Sequence, residues 1–267
     1  MRPLADFPSA LAAQVVAVFT DIDDTLTVDG RLPSSAYDAL WQLHEAGLAV
    51  VPVTGRPAGW CDHIARVWPV DAVVGENGAL AYAYDRTRKK MRTWMAKDET
   101  ERTDSRVALA KLRAEILAKV PGTAVASDQD FRLFDLAIDF CEDVEPLDSE
   151  AVAEIVHLFE AAGANAKVSS IHVNGWFGNY DKRSMTRKVA AEWLSLDLDD
   201  PSDNGKAVFV GDSPNDAPAF AYFRNSVGVA NVRDRPIQTE PRYICPSRGG
   251  EGFAELASLL LEHRPAT

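Results

Sequence analysis

The chain is poor in the residues that build disulfide frameworks and soft metal sites, with three cysteines and five histidines in 267 residues. Cys61, Cys141 and Cys245 are far apart, odd in number and in no CxxC pattern, which argues against a disulfide scaffold or a cysteine-held zinc and leaves buried free thiols. His44, His63, His157, His172 and His263 form no HxH or HExxH spacing. Positive charge is also short: 28 Lys and Arg stand against 40 Asp and Glu, a formal net charge of -12. A nucleic-acid partner is therefore not expected, because backbone phosphates call for a basic face. No apolar run approaches the length of a membrane-spanning helix, and "MRPLADFPSALAAQ" places an Asp and a Pro where a signal peptide needs its apolar centre. No repeat or low-complexity tract is visible. These absences point to a cytoplasmic protein without a membrane or an obligate protein partner, and any metal it binds should be held by oxygen.

What is present is an ordinary globular composition, 46% apolar and 25% charged, in a chain long enough for a substantial core. Val15 to Thr20 is an apolar run of strand length. Ser34 to Ala46 has helical spacing and stops at Gly47 before "LAVVPVT"; a second helix, Ala58 to Val67, leads to "DAVVGENGA". Strands apolar on both faces and separated by helices predict an α/β core with a parallel sheet, Rossmann-like, covered by helices on both sides.

The pattern changes after Leu80. "ALAYAYDRTRKKMRTWMA" reads as a hairpin, Asp104 to Val120 as an amphipathic helix, "FRLFDLAIDF" as a strand, Ser149 to Ala162 as a helix, and "AKVSSIHV" as one last strand. From Lys182 the helix-strand alternation resumes with "KRSMTRKVAAEWLSL", "KAVFVGD", "APAFAYFRNS" and "VGVAN", and Glu251 to Leu261 closes the chain as a helix. The expected organisation is a core of residues 1–81 and 175–267 interrupted by an α+β unit of residues 82–174.

Chemistry collects where apolar strands end. "AVFTDIDDTLT" sets Asp21, Asp23 and Asp24 within four residues, and carboxylates this close resist ionising together unless a cation or hydrogen-bond donors compensate. Three further segments, "PVTGRP", "NYDKR" and "FVGDSPND", also place polar groups at a strand's carboxyl end or the helix start beyond it, the edge where open parallel sheets bind ligands.

Together these segments resemble the haloacid-dehalogenase superfamily of phosphotransferases: DxDx[TV] at Asp21–Thr25, then Thr54, then Lys182, then a GDxxxD-type motif from Gly211 through Asp212 to Asp216, in the family's order. The inserted unit falls between the Thr and Lys motifs, where C2-type caps sit. "VTGRP", "GENGA" and "GDSPND" are similar to the Cof-type, sucrose-phosphate, trehalose-phosphate and mannosyl-phosphoglycerate phosphatases.

The resemblance implies a magnesium-dependent phosphomonoesterase acting on a small phosphorylated metabolite, a sugar phosphate for preference. Asp21 is then the nucleophile and Asp23 the general acid and base. Lys182 neutralises the phosphoryl oxygens and Asp21. Thr54, the Gly55 amide and Asn215 bind the phosphate. Mg²⁺ is held by Asp21, Asp212 and the Asp23 main-chain carbonyl, with Asp216 acting behind them. Asp24 stands where many relatives have Gly and receives only a turn-forming role.

Bland readings compete at several positions. Lys188 and Lys206 rival Lys182, which is preferred because it opens the helix after the inserted unit. Arg56 and Asn77 fit salt bridging and turn formation as well as substrate contact, and Trp176, Phe177 and Tyr180 are read as packing in preference to a sugar platform. A phosphomannomutase-like phosphotransferase is the second functional reading. A receiver-like phospho-Asp module is a third, disfavoured by the DxD spacing and the chain length.

Overall fold

The computed structural model describes residues 1–169 and 171–264. Thirteen strands run β1 (Arg2–Pro3), β2 (Ala17–Thr20), β3 (Ala49–Pro52), β4 (Val73–Gly75), β5 (Leu80–Asp85), β6 (Lys90–Met95), β7 (Ala124–Val125), β8 (Leu136–Asp139), β9 (Asn165–Val168), β10 (His172–Trp176), β11 (Ala207–Gly211), β12 (Asn225–Gly228) and β13 (Tyr243–Ile244). Six of them form one sheet in the order β1-β13-β12-β11-β2-β3, and every pair in it is parallel.

The period-two alternation of strand side chains divides this sheet between two cores. Val18, Val50, Val208 and Val210 bury against the helices Ser34–Glu45 and Gly249–Glu262 through residues such as Leu40, Leu43, Phe253 and Leu256. Ala17, Phe19, Val51 and Phe209 face the other way, onto Met185, Val189 and Ala190 of the helix Lys182–Trp193. Both faces are covered, as continuous apolar strands require. Among the described residues no helix is long and apolar enough to cross a membrane.

Two smaller antiparallel sheets complete the molecule. β4, β5 and β6 form one, joined to the end of β3 by a Val53–Val74 bridge. β7, β8, β10 and β9 form the other, which builds its own core from Leu136, Ile138 and Val173 with Leu112 and Ile116 of the helix Glu99–Lys119 and Ile155 and Phe159 of the helix Ser149–Ala161. The hairpin Leu80–Met95 is therefore hydrogen-bonded to β4 and not to the four-stranded sheet.

Several sequence readings are corrected. "AKVSSIHV" is two strands, β9 and β10, paired antiparallel, because Ser169 turns the chain by accepting the Ile171 and His172 N–H groups at its hydroxyl. "FRLFDLAIDF" contributes only Leu136–Asp139 to a strand, since Gln129–Phe131 is a 3₁₀ turn. The helix read from Asp104 starts at Glu99, where Asp98 and Glu101 form a reciprocal capping box. "VGVAN" leaves its strand at Gly228 and turns into a 3₁₀ segment at Ala230.

Candidate active site

Strand register brings the four motifs together. Thr20 pairs with Val210 on one side and with Pro52 on the other, and the Asp21 N–H still bonds to the Val210 carbonyl. Asp21, Asp212 and the Val53–Thr54 turn consequently leave the same edge of the sheet.

The last element, Lys182, arrives through backbone contact. It opens a helix whose start is capped by Asp181 and Ser184. That start is pressed against Gly78, where φ is +99° and a Cβ would lie 2.1 Å from the Asp181 carbonyl oxygen. The glycine in "GENGA" is what lets the helix begin this close.

Lys182 Nζ donates to Asp21 Oδ1 at 2.7 Å and lies 3.8 Å from Asp216 Oδ1. Asp216 is 1% exposed; its Oδ2 accepts the Asp212 and Ser213 N–H groups and the Ser213 hydroxyl, while Oδ1 has no hydrogen-bond partner. Gly211 permits that inward curl, since a Cβ there would meet Asp216 Oδ2 at 2.5 Å. Asp212 Oδ1 accepts the Thr25 hydroxyl at 3.1 Å, and Oδ2 the Asn231 side-chain amide at 3.3 Å.

Charge in this cluster does not balance. Asp21, Asp212 and Asp216 each place a carboxylate oxygen within 4.8 Å of the others, with one lysine among them. Burial raises Asp21 despite the opposing pull of Lys182, and burial followed by Asp216 and Asp21 raises Asp212. Burial by itself would lower Lys182, but Asp21 and then Asp216 hold it above its ordinary value. Three hard oxygen donors, an orphaned carboxylate oxygen and an excess of negative charge fit a divalent cation of the Mg²⁺ type.

Asp23 is turned away from this group. Its Oδ1 accepts Arg56 Nε at 2.9 Å and Nη2 at 2.7 Å, and its Oδ2 accepts the shared Nε at 3.1 Å, charge-assisted bonds that fix the carboxylate. Arg56 was left open by the sequence; the structure makes it the partner of Asp23. Its Nη1 also lies 3.8 Å from Asp128 and 3.9 Å from Glu142 of the inserted segment.

Gly55 and Asn215 line the same cavity as Asp21, Asp23, Asp212 and Lys182. Thr54 does not line it: it is fully buried and its hydroxyl accepts the Arg56 N–H. Asn215 donates to the Val168 carbonyl of β9 at 2.6 Å, so it bridges to the overlying sheet. Asn77 lines the cavity with a buried side-chain amide that lacks a partner. The rival lysines are spent elsewhere, Lys188 over the Trp94 ring and Lys206 on Asp203. Trp176 is 3% exposed and stacks on Tyr180, as packing residues do.

Sequence reasoning missed the roof of the cavity. His172 and Asn174 on β10 face into it from above, with Lys167 and Ser169 beside them. It also missed Asn231, which ties Asp212 to the Asp24 carbonyl. Asn231 stood in plain view as the last residue of "VGVAN", just beyond another strand's carboxyl end; the roof residues carry no motif.

Comparison with known proteins agrees with this geometry. Residues 18–104 match the family of haloacid dehalogenase-like hydrolases. A comparison with curated proteins gives no match. Among solved structures the chain is similar to protein 0175 of Thermoplasma acidophilum (17% identity, TM-score 0.70, covering 92% of this chain and 98% of that one). It is also similar to a putative HAD/COF-like hydrolase from Plasmodium vivax (18%, 0.66, 96% and 99%) and to the sucrose-phosphatase of Synechocystis sp. (14%, 0.61, 92% and 98%). Residues 18–104, which carry the motifs at Asp21–Thr25 and Thr54, thus match the family that those motifs resemble, and the α/β core with added antiparallel sheets is a fold shared over 92% of the chain.

Proposed function

We propose that the chain is a magnesium-dependent phosphomonoesterase that hydrolyses a small phosphorylated metabolite, of the sugar-phosphate class, through an aspartyl-phosphate on Asp21. The observation that carries this reading is the contact of Lys182 Nζ with Asp21 Oδ1 at 2.7 Å inside a group of three acids with that one lysine among them. Its support for a sugar phosphate is the similarity to the sucrose-phosphatase and to a trehalose-6-phosphate phosphatase related protein.

In this reading an Asp21 oxygen attacks phosphorus and the bond to the leaving alcohol oxygen breaks, with Asp23 giving that oxygen a proton. Asp23 then takes a proton from the water that attacks phosphorus of the aspartyl-phosphate, releasing phosphate and restoring Asp21. Arg56 aims the Asp23 carboxylate; its Oδ2 receives one donor where Oδ1 receives two, which leaves Oδ2 the freer for proton exchange. Lys182 offsets the charge of the transferred group, and Asp216 beneath it keeps the ammonium in place. The Gly55 amide, Asn77 and Asn215 supply phosphate donors, whereas Thr54 shapes the turn that presents them. Asp21, Asp212 and the Asp23 carbonyl would hold Mg²⁺, which would supply positive charge against the phosphoryl oxygens.

We assign residues 1–81 and 175–267 to the core and 82–174 to a cap. The hairpin strands β5 and β6, which lie largely within residues 82–174, extend the sheet of β4, and the part that closes over substrate is the four-stranded sheet with its two helices.

Phosphate release from a panel of phosphorylated metabolites, with and without Mg²⁺ and beside Asp21→Asn, tests this. Release that needs Mg²⁺ and is lost in the variant is expected. Wild-type turnover by Asp21→Asn, or an isomerised sugar phosphate in place of free phosphate, would overturn it.

A further inference from the structure

A second cavity of about 380 Å³ opens beside the first. Asp23, Thr27 and Arg56 line both, so the pair that handles the leaving group in the proposed mechanism is also the partition between the two. The chemistry of their walls differs. The first cavity is walled by acids, amides and lysine; the second by Trp60, Trp68, Phe131, Leu32 and Ile64, with His63 as its main polar side chain.

Two of these rings keep a solvent-exposed face, although Phe131 also packs on Gly59. Trp60 is 43% and Phe131 56% exposed, although aromatic side chains gain most of their stabilisation by burial. Trp60 is additionally held in place by the Arg56 guanidinium, 4.5 Å over its ring, so the ring that faces the cavity and the group that aims Asp23 form one unit. Phe131 comes from the inserted segment while Trp60 comes from the helix Ala58–Val67, so the cavity is closed on one side by each. Its volume lies within the range of small-molecule pockets.

We propose that this cavity is a subsite for an apolar, ring-sized portion of the alcohol that leaves, and that the substrate is a phosphate ester whose alcohol carries such a group beside its polar part. The inference rests on the phosphomonoesterase reading, since Asp23 must face the leaving oxygen for the alcohol to extend past it. A purely polar, small alcohol would leave Trp60 and Phe131 in water; a ring reaching across Asp23 covers both.

Equilibrium binding of 2-naphthyl phosphate and of glycerol 3-phosphate to the Asp21→Asn protein, followed by titration calorimetry, is the test. The naphthyl ester should bind at least about tenfold more tightly, and the preference should fall to about threefold or less in the added presence of Phe131→Ala or of Trp60→Ala. Phe131 is surface-exposed and bonds to no catalytic group, so its loss does not threaten folding. Equal affinities for the two esters, or a preference that survives both substitutions, overturn the subsite. Binding needs no turnover, so the two readings fail separately. Wild-type protein that binds with the expected preference but releases phosphate from no ester refutes the hydrolase and leaves the subsite standing.

Discussion

Two clusters of buried acids lie on either side of the Thr54–Arg56 turn, and they are built on opposite plans. Around Arg132, 1% exposed at its side chain, every carboxylate oxygen is matched. Asp128 takes Nε and Nη2, Asp135 takes Nη1 and the Asn174 amide, and Glu76 accepts four backbone N–H groups, from Ala58, Leu133, Phe134 and Asp135. Around Lys182 three acids share one cation, and Asp216 Oδ1 has no hydrogen-bond partner. A buried polar network that is fully satisfied rigidifies what it joins, here the inserted segment to the core. One left unsatisfied stores electrostatic cost that a bound cation would relieve. The first is a clamp and the second a site, although both read as acids near an Arg or Lys.

The sharpest way to break this contrast is to remove one acid from each. Asp21→Asn should lower the turnover number by at least about a thousandfold yet leave the melting temperature unchanged or higher, because it relieves crowding among like charges. Glu76→Gln should do the reverse. Its amide cannot accept all four N–H groups, and the orphaned donors should cost about 2–4 kcal/mol of unfolding free energy in urea titration. An Asp21→Asn protein that melts early beside a Glu76→Gln protein of native stability would erase the distinction.

A smaller effect sharpens it through pH. His172 lies under the roof with Nε2 2.8 Å from Glu142, and Asp128, Asp139, Arg56 and Arg132 also act on it; burial first, then Arg132, brings it down from 6.5 to about 4. The unfolded chain therefore binds the proton more readily than the folded one. The stabilisation is present in full above pH 6.5 and is lost as the pH falls towards 4, with a slope of up to about 1.4 kcal/mol per pH unit. His172→Gln should flatten this acid limb in urea titrations between pH 4 and 6.5. A limb of unchanged slope would place the titrating group elsewhere.

The large sheet was legible because its strands are apolar on both faces and its helices end at visible signals such as Gly47. That Asp21, Lys182 and the Gly211–Asp216 loop come together was legible because each motif sits at a strand's carboxyl end or the helix start beyond it, and pairing in register brings such ends together whatever the loops between them do. Two kinds of residue escaped. Arg56 was left open between salt bridging and substrate contact; its partner Asp23 is 33 positions away, and nothing local announces the pairing. The roof residues His172 and Asn174 sit on a strand whose turn was unreadable, because Ser169 makes it with its hydroxyl where Gly or Pro would have signalled it. Glu76 escaped for a third reason: its φ is +42°, and the four N–H groups that its buried carboxylate accepts come from residues far along the chain.

Asp24 gives the smallest and most local test. Its φ is +59°, the left-handed region that Gly enters freely and Asp more readily than most other residues. Asp is tolerated because its neighbours hold the turn: its N–H donates to the Thr27 hydroxyl at 3.0 Å and its carbonyl accepts from Asn231 at 2.9 Å. Both bonds use the main chain, so they survive any side chain. Asp24→Gly should therefore change unfolding free energy by no more than about 1 kcal/mol, relief of backbone strain being offset by the extra freedom of the unfolded glycine. Asp24→Ala, which keeps a Cβ but loses the tolerance of Asp for this region, should cost about 1–2 kcal/mol. Equal stability of the Ala and Gly variants would mean that the turn relaxes out of the left-handed region, and that the Asn231 bond, not backbone conformation, fixes where Asp23 points.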